Sequence, residues 1–392
     1  MTKRNKKRNQ KKQSRRSNQE QNPHPSSDAV NLSQNVDVEE ELEDIFQEDD
    51  EDYEDMMEIY RKMPKVELHA HLSGSLSVDT VKQLFEMNPK DGEEVIKSYK
   101  LKNPKDMDRV FDCFPVLHAL LQTPESLELA VYNTVKEFVE DGCVYLELRT
   151  TPKETRLMSY ELYLSTCIKT IEKAGIDFPS CQVFLIVSID RAMTLETAGN
   201  ILNIVGLFQL STSVIVGVEL SGRPEISGAH LHPIFVAARR FHGLGVTIHL
   251  AEDKNHMDDV IDYLNFLPDR IGHGSFLHLI DEAVDLLEKC KIPLEICLSS
   301  NVYTGTTKRM EDSHYTFWKR KGVPVVFCTD DKGIIPNTTL SEEYYKAGKA
   351  FGLTFQDFTD MNLMALRRCF ACKYNVTNLA ETYRRITENR LV

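Results

Sequence analysis

The run Pro64-Lys-Val-Glu-Leu-His-Ala-His-Leu-Ser-Gly-Ser75 combines a β-rich segment with two histidines at alternate positions. In a β-strand, residues i and i+2 point to the same side, so His69 and His71 can face one space and hold one ion. A single His-x-His pair also occurs by chance, and it is more often a surface or core feature than a set of ligands. Its meaning depends on the residues that the other strands of the chain place beside it.

Short β-rich runs alternate with long helical stretches through most of the chain. This alternation predicts parallel strands with helical crossovers, and eight such strands predict an α/β fold of the (β/α)8 TIM barrel type. An open doubly wound sheet is the alternative, but no Gly-rich phosphate loop follows the first strand. The segment Val78–Leu121 is too long for one crossover and predicts extra helices over the barrel mouth. The predicted strands are Val66–Leu72, Val144–Arg149, Val183–Ile189, Val214–Leu220, Val246–Leu250, Arg270–Gly272, Leu294–Leu298 and Val325–Cys328.

The composition narrows the class of protein. A chain of 392 residues is long enough for one barrel of roughly 250 residues or more with an added tail. No apolar run approaches the roughly 18 residues needed to span a bilayer, so we expect no membrane segment. A net charge of −13 argues against a nucleic-acid-binding body. We expect a cytoplasmic protein that acts on a small molecule; composition does not indicate the oligomeric state.

The N-terminal part of the chain separates its charges into two blocks. Residues 3–16 carry nine Lys or Arg and no acid, whereas residues 37–58 carry fourteen acids and no base. Such blocks do not collapse into a core, so the sequence predicts a disordered charged tail over 1–58 and a barrel domain over 59–392. A solubilising tail is the simpler interpretation; the basic block could instead serve nuclear targeting or RNA contact.

Ionisable groups at other strand ends strengthen the first signal. His249 lies near the end of the fifth predicted strand, and Asp330 follows the eighth. Since the C-terminal strand ends of a barrel meet at one face, these side chains should lie beside His69 and His71. Three nitrogens and one oxygen suit a borderline ion such as Zn²⁺, with a position left for water. The sequence therefore predicts one zinc ion per chain, held by His69, His71, His249 and Asp330.

Three more ionisable residues adjoin this ligand set. Glu252 lies three residues beyond His249 and can enter the pocket as an acid or base without binding the metal. His273, at the end of the sixth strand, can orient or deprotonate the water that a zinc ion activates. Asp331 projects away from Asp330 in an extended backbone, which suits contact with substrate or water. Taken singly, these residues have simpler explanations: a solvated loop acid, a turn and a helix cap.

These residues resemble the adenosine and AMP deaminase family of metal-dependent hydrolases over roughly residues 60–385. The resemblance implies a barrel with the zinc ligands given above, Glu252 as the proton donor to the purine ring and His273 beside the attacking water. It also implies that Asp331 and the backbone of Gly222 contact the base. A monomer is expected only from this resemblance. The motifs that carry it are Pro64–Ser75, Gly217-Val-Glu-Leu-Ser-Gly222, His249-Leu-Ala-Glu252, Arg270-Ile-Gly-His-Gly274, Leu298-Ser-Ser-Asn301 and Cys328-Thr-Asp-Asp331.

One departure from the family pattern bears on the substrate. Nucleoside deaminases of this family carry Asp where this chain has Ser73, and that acid would repel a 5′-phosphate. Ser73, Asp331-Lys-Gly333 and Arg149-Thr-Thr-Pro-Lys153 resemble the adenosine deaminase-like branch, which acts on N6-methyl-AMP. On charge grounds, His118 and Lys153 are candidate phosphate partners. By the same resemblance, the nucleotide site comprises His71, Ser73, His118, Thr151, Pro152, Lys153, Glu154, Asp190, Gly222 and Asp331.

The resulting hypothesis is a zinc-dependent hydrolytic deaminase of a 6-amino or N6-methylamino purine nucleoside monophosphate. Its reaction converts N6-methyl-AMP to IMP and methylamine. The alternative is an adenosine deaminase that acts on the free nucleoside, against which Ser73 is the main feature. A further alternative of another class is a non-enzymatic scaffold that acts through its charged tail.

Overall fold

The computed structural model describes residues 53–87, residues 107–371 and Tyr383. Eight strands pair in chain order, and every neighbouring pair is parallel. The strands are β1 (Lys65–His71), β2 (Cys143–Thr150), β3 (Gln182–Asp190), β4 (Ile215–Ser221), β5 (Gly245–Leu250), β6 (Arg270–His273), β7 (Leu294–Ile296) and β8 (Val325–Phe327).

The sheet returns to its first strand just beyond β8. The amide of Asp330 donates to the carbonyl of His69 at 2.8 Å, and the amide of His71 donates to the carbonyl of Asp330 at 3.0 Å. This parallel bridge joins β1 to the segment after β8, as closure of a barrel requires. The predicted (β/α)8 barrel is confirmed.

Helices follow most strands and cover the outside of the barrel. Apolar side chains of the strands and helices form the main core between the two layers. No helix in the described part of the chain is long and apolar enough to cross a membrane. The helices are α1 (Tyr53–Lys62), α2 (Val78–Met87), α3 (Met107–Leu120), α4 (Pro124–Glu140), α5 (Tyr160–Asp177), α6 (Leu195–Phe208), α7 (His232–His242), α8 (Val260–Phe266), α9 (Asp281–Cys290), α10 (Leu298–Tyr303), α11 (Tyr315–Lys321), α12 (Leu340–Phe351) and α13 (Phe355–Arg368).

The long connection between β1 and β2 contains extra helices, as predicted. α2 and α3 both fall within the segment Val78–Leu121, and α4 then leads into β2. Residues 88–106 of this segment lie outside the described residues. Leu117, Leu120 and Leu121 of this connection are buried against Leu84 and form a small separate core.

The predicted boundary of the tail is wrong by several residues. Residues 53–58, which the charge pattern assigned to the tail, form the first part of α1. Met57 and Tyr60 are buried on one face of this helix, and Glu54 and Asp55 occupy its first turn, where acidic side chains favour a helix N-terminus. The high density of acids concealed this amphipathic pattern. The rest of the predicted tail, residues 1–52, lies outside the described residues.

The seventh strand is shorter than predicted. β7 ends at Ile296, and α10 begins at Leu298 because the buried Glu343 carboxylate accepts the amides of Leu298 and Ser299 at 3.0–3.3 Å. This contact comes from α12, so no local sequence pattern announces it. Its consequence is that Ser300, on the first turn of α10, enters the candidate site.

Candidate active site

The four predicted metal ligands meet at the C-terminal face of the barrel. One ligand atom from each of His69, His71, His249 and Asp330 lies within 4.8 Å of the others. The Nε2 atoms of His71 and His249 are 3.2 Å apart. Asp330 Oδ1 lies 3.4 Å from Nε2 of His69 and 3.5 Å from Nε2 of His71. Two donors about 2.05 Å from one tetrahedral ion are separated by roughly 3.3 Å, so these spacings fit a single zinc ion.

The backbone of the barrel makes room for this cluster. A Cβ atom on Gly272 of β6 would lie 2.9 Å from Cε1 of His69. Glycine at position 272 therefore leaves the space that the His69 ring occupies. Asp330 has a φ of +62°, a left-handed conformation that is uncommon outside glycine. Its backbone bonds to β1 hold it there, and Ser300 Oγ donates to Asp330 Oδ2 at 2.7 Å. Strain of this kind is typical of functional sites.

The hydrogen bonds of the histidines leave their inner nitrogens available. His69 Nδ1 donates to Glu295 Oε2 at 2.9 Å, and His249 Nδ1 donates to the carbonyl of Leu220 at 3.0 Å. In a neutral ring with Nδ1 protonated, Nε2 presents a lone pair to the cluster, and Nε2 of His69 is buried without a hydrogen-bond partner among the described residues. Burial lowers the pKa of His71 to about 4 and lowers that of His249, which favours the neutral form that a metal ligand requires. At His69, burial acts in the same direction, but the carboxylates of Asp330 and Glu295 raise the pKa to about 9, so metal binding there would release a proton. The donor set therefore fits zinc.

A buried network of ion pairs contacts the predicted metal ligands and holds the ring of His69 in place. Arg149 donates to Glu295 at 2.7 Å and also pairs with Glu219, while Arg270 pairs with Glu295 and with Glu147. All five side chains are fully buried. Burial would raise the pKa of Glu295, but the charges of Arg149 and Arg270 hold it well below its usual value. Glu295 is therefore ionised, and it fixes the orientation of the His69 ring.

Glu252 and His273 lie beside the ligand cluster, as predicted. His273 Nε2 is 3.7 Å from Glu252 Oε1 and 3.8 Å from Asp330 Oδ2. Burial raises the pKa of the Glu252 carboxyl, although the neighbouring His273 opposes the shift. A raised pKa makes a carboxyl group better suited to act as a general acid.

Asp331 faces the same space from the loop after β8. Burial and the nearby charge of Asp330 raise the pKa of Asp331 well above its usual value. Within the part of the chain that the structure describes, Asp331 Oδ1 is buried and has no hydrogen-bond partner. A Cβ atom on Gly74 would lie 1.6 Å from that oxygen, so glycine at position 74 is required by close approach. Asp331 therefore lines the cavity with a carboxyl group whose Oδ1 packs against Gly74.

One cavity of about 290 Å³ collects most of the predicted site. Pro152 is buried outside its lining and Glu154 is exposed to solvent, so the structure does not bring these two predicted residues into the cavity. His69 is fully buried and does not line the cavity. The predicted residues that do line the cavity are His71, Ser73, His118, Thr151, Lys153, Asp190, Gly222, His249, Glu252, His273, Asp330 and Asp331.

Asp190 and Gly222 pack against each other at the wall of this cavity. Asp190 Oδ1 accepts the amide of Ala192 at 2.8 Å. Gly222 has a φ of +103°, and a Cβ atom there would lie 2.8 Å from Asp190 Oδ1. The two residues therefore pack as a unit that closes the ends of β3 and β4 and leaves the backbone of Gly222 facing the cavity.

The predicted phosphate partners form a group of their own. His118 Nε2 lies 3.3 Å from Ser73 Oγ. Burial and the nearby charge of Lys153 lower the pKa of His118 to about 3, so the imidazole is neutral at physiological pH. A neutral histidine and a hydroxyl can both donate hydrogen bonds to an anion, and Lys153 supplies the positive charge.

Sequence reasoning missed part of the cavity wall. α3 contributes Phe111 and Phe114, which lie at helical spacing with His118, and Arg223 lies at the mouth of the cavity. The guanidinium of Arg223 lies 5.1 Å from the centroid of the Phe111 ring and donates to Asp112 Oδ1 at 3.3 Å. The spacing of Phe111, Phe114 and His118 was a usable signal for a helix face over the site. No pattern linked that face to Arg223.

A barrel that holds three imidazoles and a carboxylate around one point, with a carboxyl and an imidazole alongside, defines the class of metal-dependent hydrolases. The family model described as adenosine deaminase matches residues 64–384. The chain is 56% identical over 338 residues to the adenosine deaminase-like protein of Caenorhabditis elegans, covering 86% of this chain and 87% of that protein. It is 35% identical over 341 residues to N6-methyl-AMP deaminase of Danio rerio, covering 85% of this chain and 97% of that protein.

The structural comparison agrees with the sequence comparison. The crystal structure of Arabidopsis ADAL complexed with IMP matches with a TM-score of 0.76 and 30% identity, covering 85% of this chain and 98% of that chain. The chain therefore belongs to the adenosine deaminase family.

Proposed function

We propose that this chain is a zinc-dependent aminohydrolase that converts N6-methyl-AMP, and more generally 6-amino purine nucleoside monophosphates, to IMP. One observation carries the proposal: a single cavity is lined both by the metal-ligand cluster and by Ser73 with its partner His118. The first group suits hydrolysis at the purine ring, and the second suits an anionic 5′ end.

His69, His71, His249 and Asp330 would hold the zinc ion, which would lower the pKa of a water molecule toward about 7 and so make it a nucleophile at neutral pH. Glu252 gives a proton to the purine ring at N1, and its raised pKa suits it to this role. The His273 imidazole orients the attacking water beside Asp330.

Asp331 and the backbone of Gly222 hold the base. Asp331 brings a buried carboxyl group to the cavity, and Gly222 brings a backbone that no side chain covers. Hydrogen bonds from these groups orient the purine so that its 6-substituent faces the ligand cluster. The leaving group is then ammonia or methylamine.

The preference for a monophosphate is argued from charge. A carboxylate at position 73 would repel a phosphate, whereas Ser73 offers a hydroxyl beside His118 and near the cation of Lys153. The names of two relatives are consistent with this choice: the Danio rerio protein is called N6-methyl-AMP deaminase, and the Arabidopsis structure contains IMP.

The test is turnover of N6-methyl-AMP, AMP and adenosine, side by side, by the purified zinc-loaded chain. Release of IMP or inosine gives the rate, and methylamine or ammonia identifies the leaving group. Preference for N6-methyl-AMP supports the whole proposal. Preference for adenosine keeps the zinc chemistry and refutes the argument from Ser73.

The scaffold alternative has its own discriminating experiment. Deletion of residues 1–52 removes most of the two charge blocks and leaves α1 in place. If the chain is an enzyme, the truncated protein retains its kcat and KM. If turnover is absent in both proteins while a biological effect depends on the deleted segment, the tail is the functional part.

A further inference from the structure

His273 is held in an unusual backbone conformation. Its φ of +57° lies in the left-handed region, which costs free energy for every residue except glycine. It is the last residue of β6, and the ladder between β6 and β7 ends one residue earlier, at the pair Gly272 and Glu295. The conformation turns the His273 side chain toward Glu252 and Asp330. On the side of β5, His273 still pairs with Leu250, and the amide of Gly274 donates to the carbonyls of Gly272 and Leu250 at 2.8 and 3.1 Å. These two bonds close the turn around His273, but the carbonyl of His273 takes part in neither of them.

The ring of His273 packs beside Glu252, Asp330 and the rings of His69 and His249. Its Nδ1 atom, however, is buried and has no fixed acceptor in the described part of the chain. The metal-facing rings differ in this respect, because His69 and His249 each donate from Nδ1 to a fixed acceptor. The direction of the His273 ring is therefore set by its backbone and by packing.

His314 contacts that backbone directly. Its Nε2 atom lies 3.0 Å from the carbonyl oxygen of His273, and its side chain is buried. Burial lowers the pKa of His314 to about 3, so the ring is neutral and carries one proton. A carbonyl only accepts, which places this proton on Nε2. The ring of His314 also lies nearly parallel to the ring of His278: the centroids are 6.2 Å apart and the planes differ by 7°.

The side chain of His314 contacts another element of the fold. His314 is the N-cap residue of α11, and its side chain makes no capping hydrogen bond there, as is also true at the N-caps Leu231, Asp259, Ile280 and Cys297. Its Nε2–H is directed instead to the backbone at the end of β6.

We propose that His314 is a positioning residue: it holds the left-handed turn at His273, and thereby the direction of the catalytic imidazole, by donating Nε2–H to the His273 carbonyl. This inference rests on the proposed function for its effect on rate. Its effect on the conformation of residue 273 is independent of the substrate.

The kinetic test compares two replacements at position 314 in the full-length, zinc-loaded chain. His314→Gln keeps an N–H donor at similar reach, and His314→Leu removes it. Because a misplacement of about 1 Å can cost on the order of 100-fold in rate, we expect His314→Leu to lose roughly that factor in kcat with little change in KM. His314→Gln should stay within about fivefold of the wild type. Equal losses in both variants would mean that packing, not the donor, matters.

Two controls separate positioning from general damage. His232 packs against Tyr263 and Phe266 outside the cavity lining, so His232→Leu should retain the wild-type kcat. In a His273→Ala background, His314→Leu should cause no further loss, since His314 acts through His273. Additive losses would overturn the proposal. If His314→Leu does not fold, His314→Met replaces it in every comparison.

A structural readout keeps the two proposals distinguishable. In crystals of the His314→Leu variant, we expect residue 273 to leave the left-handed region and its ring to move away from Glu252. An unchanged φ at residue 273 refutes the positioning role whatever the kinetics show. A wild-type chain that turns over none of the three purines refutes the proposed function, while the crystal comparison still decides the role of His314.

Discussion

The buried carboxylate of Glu295 gives the sharpest test of how the site is supported. It accepts from His69 Nδ1 at 2.9 Å and from Arg149 at 2.7 Å, and it also pairs with Arg270. The replacement Glu295→Gln keeps the shape of the side chain and removes its charge. Two guanidinium groups then lose a shared counter-charge, and the ring of His69 loses its ionised acceptor.

The magnitude follows from burial and from the number of partners. Removing one partner of a buried ion pair costs about 3–5 kcal/mol, since the remaining charge is left in a low dielectric. We expect a loss near that range in the free energy of unfolding, because both Arg149 and Arg270 remain fully buried. Loss of a hydrogen bond that orients a ligand histidine typically weakens metal binding by about 10–100-fold. The zinc dissociation constant of Glu295→Gln should rise by that factor.

The assay is urea unfolding of the zinc-loaded protein together with zinc competition against a chelator. Glu128→Gln is the matched control: Glu128 pairs with Lys173 at 3.2 Å, but the two side chains are 50% and 58% exposed. Exposed pairs contribute at most about 1 kcal/mol, so this control should change neither quantity much. A Glu295→Gln protein with wild-type stability and wild-type zinc affinity would refute the supporting role of the network.

Three further predictions concern the reaction and its pH dependence. Glu252→Gln should keep its zinc but lose on the order of 10²–10⁴-fold in kcat, as loss of a general acid does; near-normal turnover in the rate assay would contradict the role of Glu252. Ser73→Asp should raise the KM for N6-methyl-AMP by at least about tenfold through like-charge repulsion while adenosine is bound no worse, and an equal change for both substrates would count against the phosphate argument. The pKa of His314 is about 3 in the folded chain and about 6.5 when unfolded, so between these values the unfolded state binds the additional proton, and stability falls as pH decreases. His314→Gln should therefore show a weaker fall in the urea midpoint from pH 6.5 to pH 4, and parallel curves for the two proteins would contradict the assignment.

The sequence was most informative where the fold itself brings distant residues together. A parallel barrel places the C-terminal ends of its strands at one face, so His69, His71, His249 and Asp330 could be assigned to one site from their positions at strand ends. The periodicity of the strands predicted the topology for the same reason. The three-dimensional arrangement here depends on the class of fold and not on individual contacts.

The remaining contacts depend on pairs that no local pattern links. His314 lies 41 residues after His273, and its capping position gave no sign that its side chain serves another element. Glu343 of α12 accepts the amide of Leu298, so α10 begins there and β7 is short. This early helix start brings Ser300 within hydrogen-bond distance of Asp330. Such contacts follow from the tertiary packing of helices, which period and composition do not specify.

The buried ion-pair network of Arg149, Arg270 and Glu295 shows why this packing matters for function. A buried ion pair is seldom more stabilising than apolar residues of the same volume, so stability alone does not account for Arg149, Arg270 and Glu295 in the lumen. Apolar side chains would fill the space but could not accept the Nδ1 proton of His69. Glu295 accepts this hydrogen bond most strongly as an anion, and the charges of the two arginines beside it keep it ionised. The network therefore gives the ligand histidine a fixed tautomer and direction, and any variant that removes its charge should affect metal binding even where the barrel still folds.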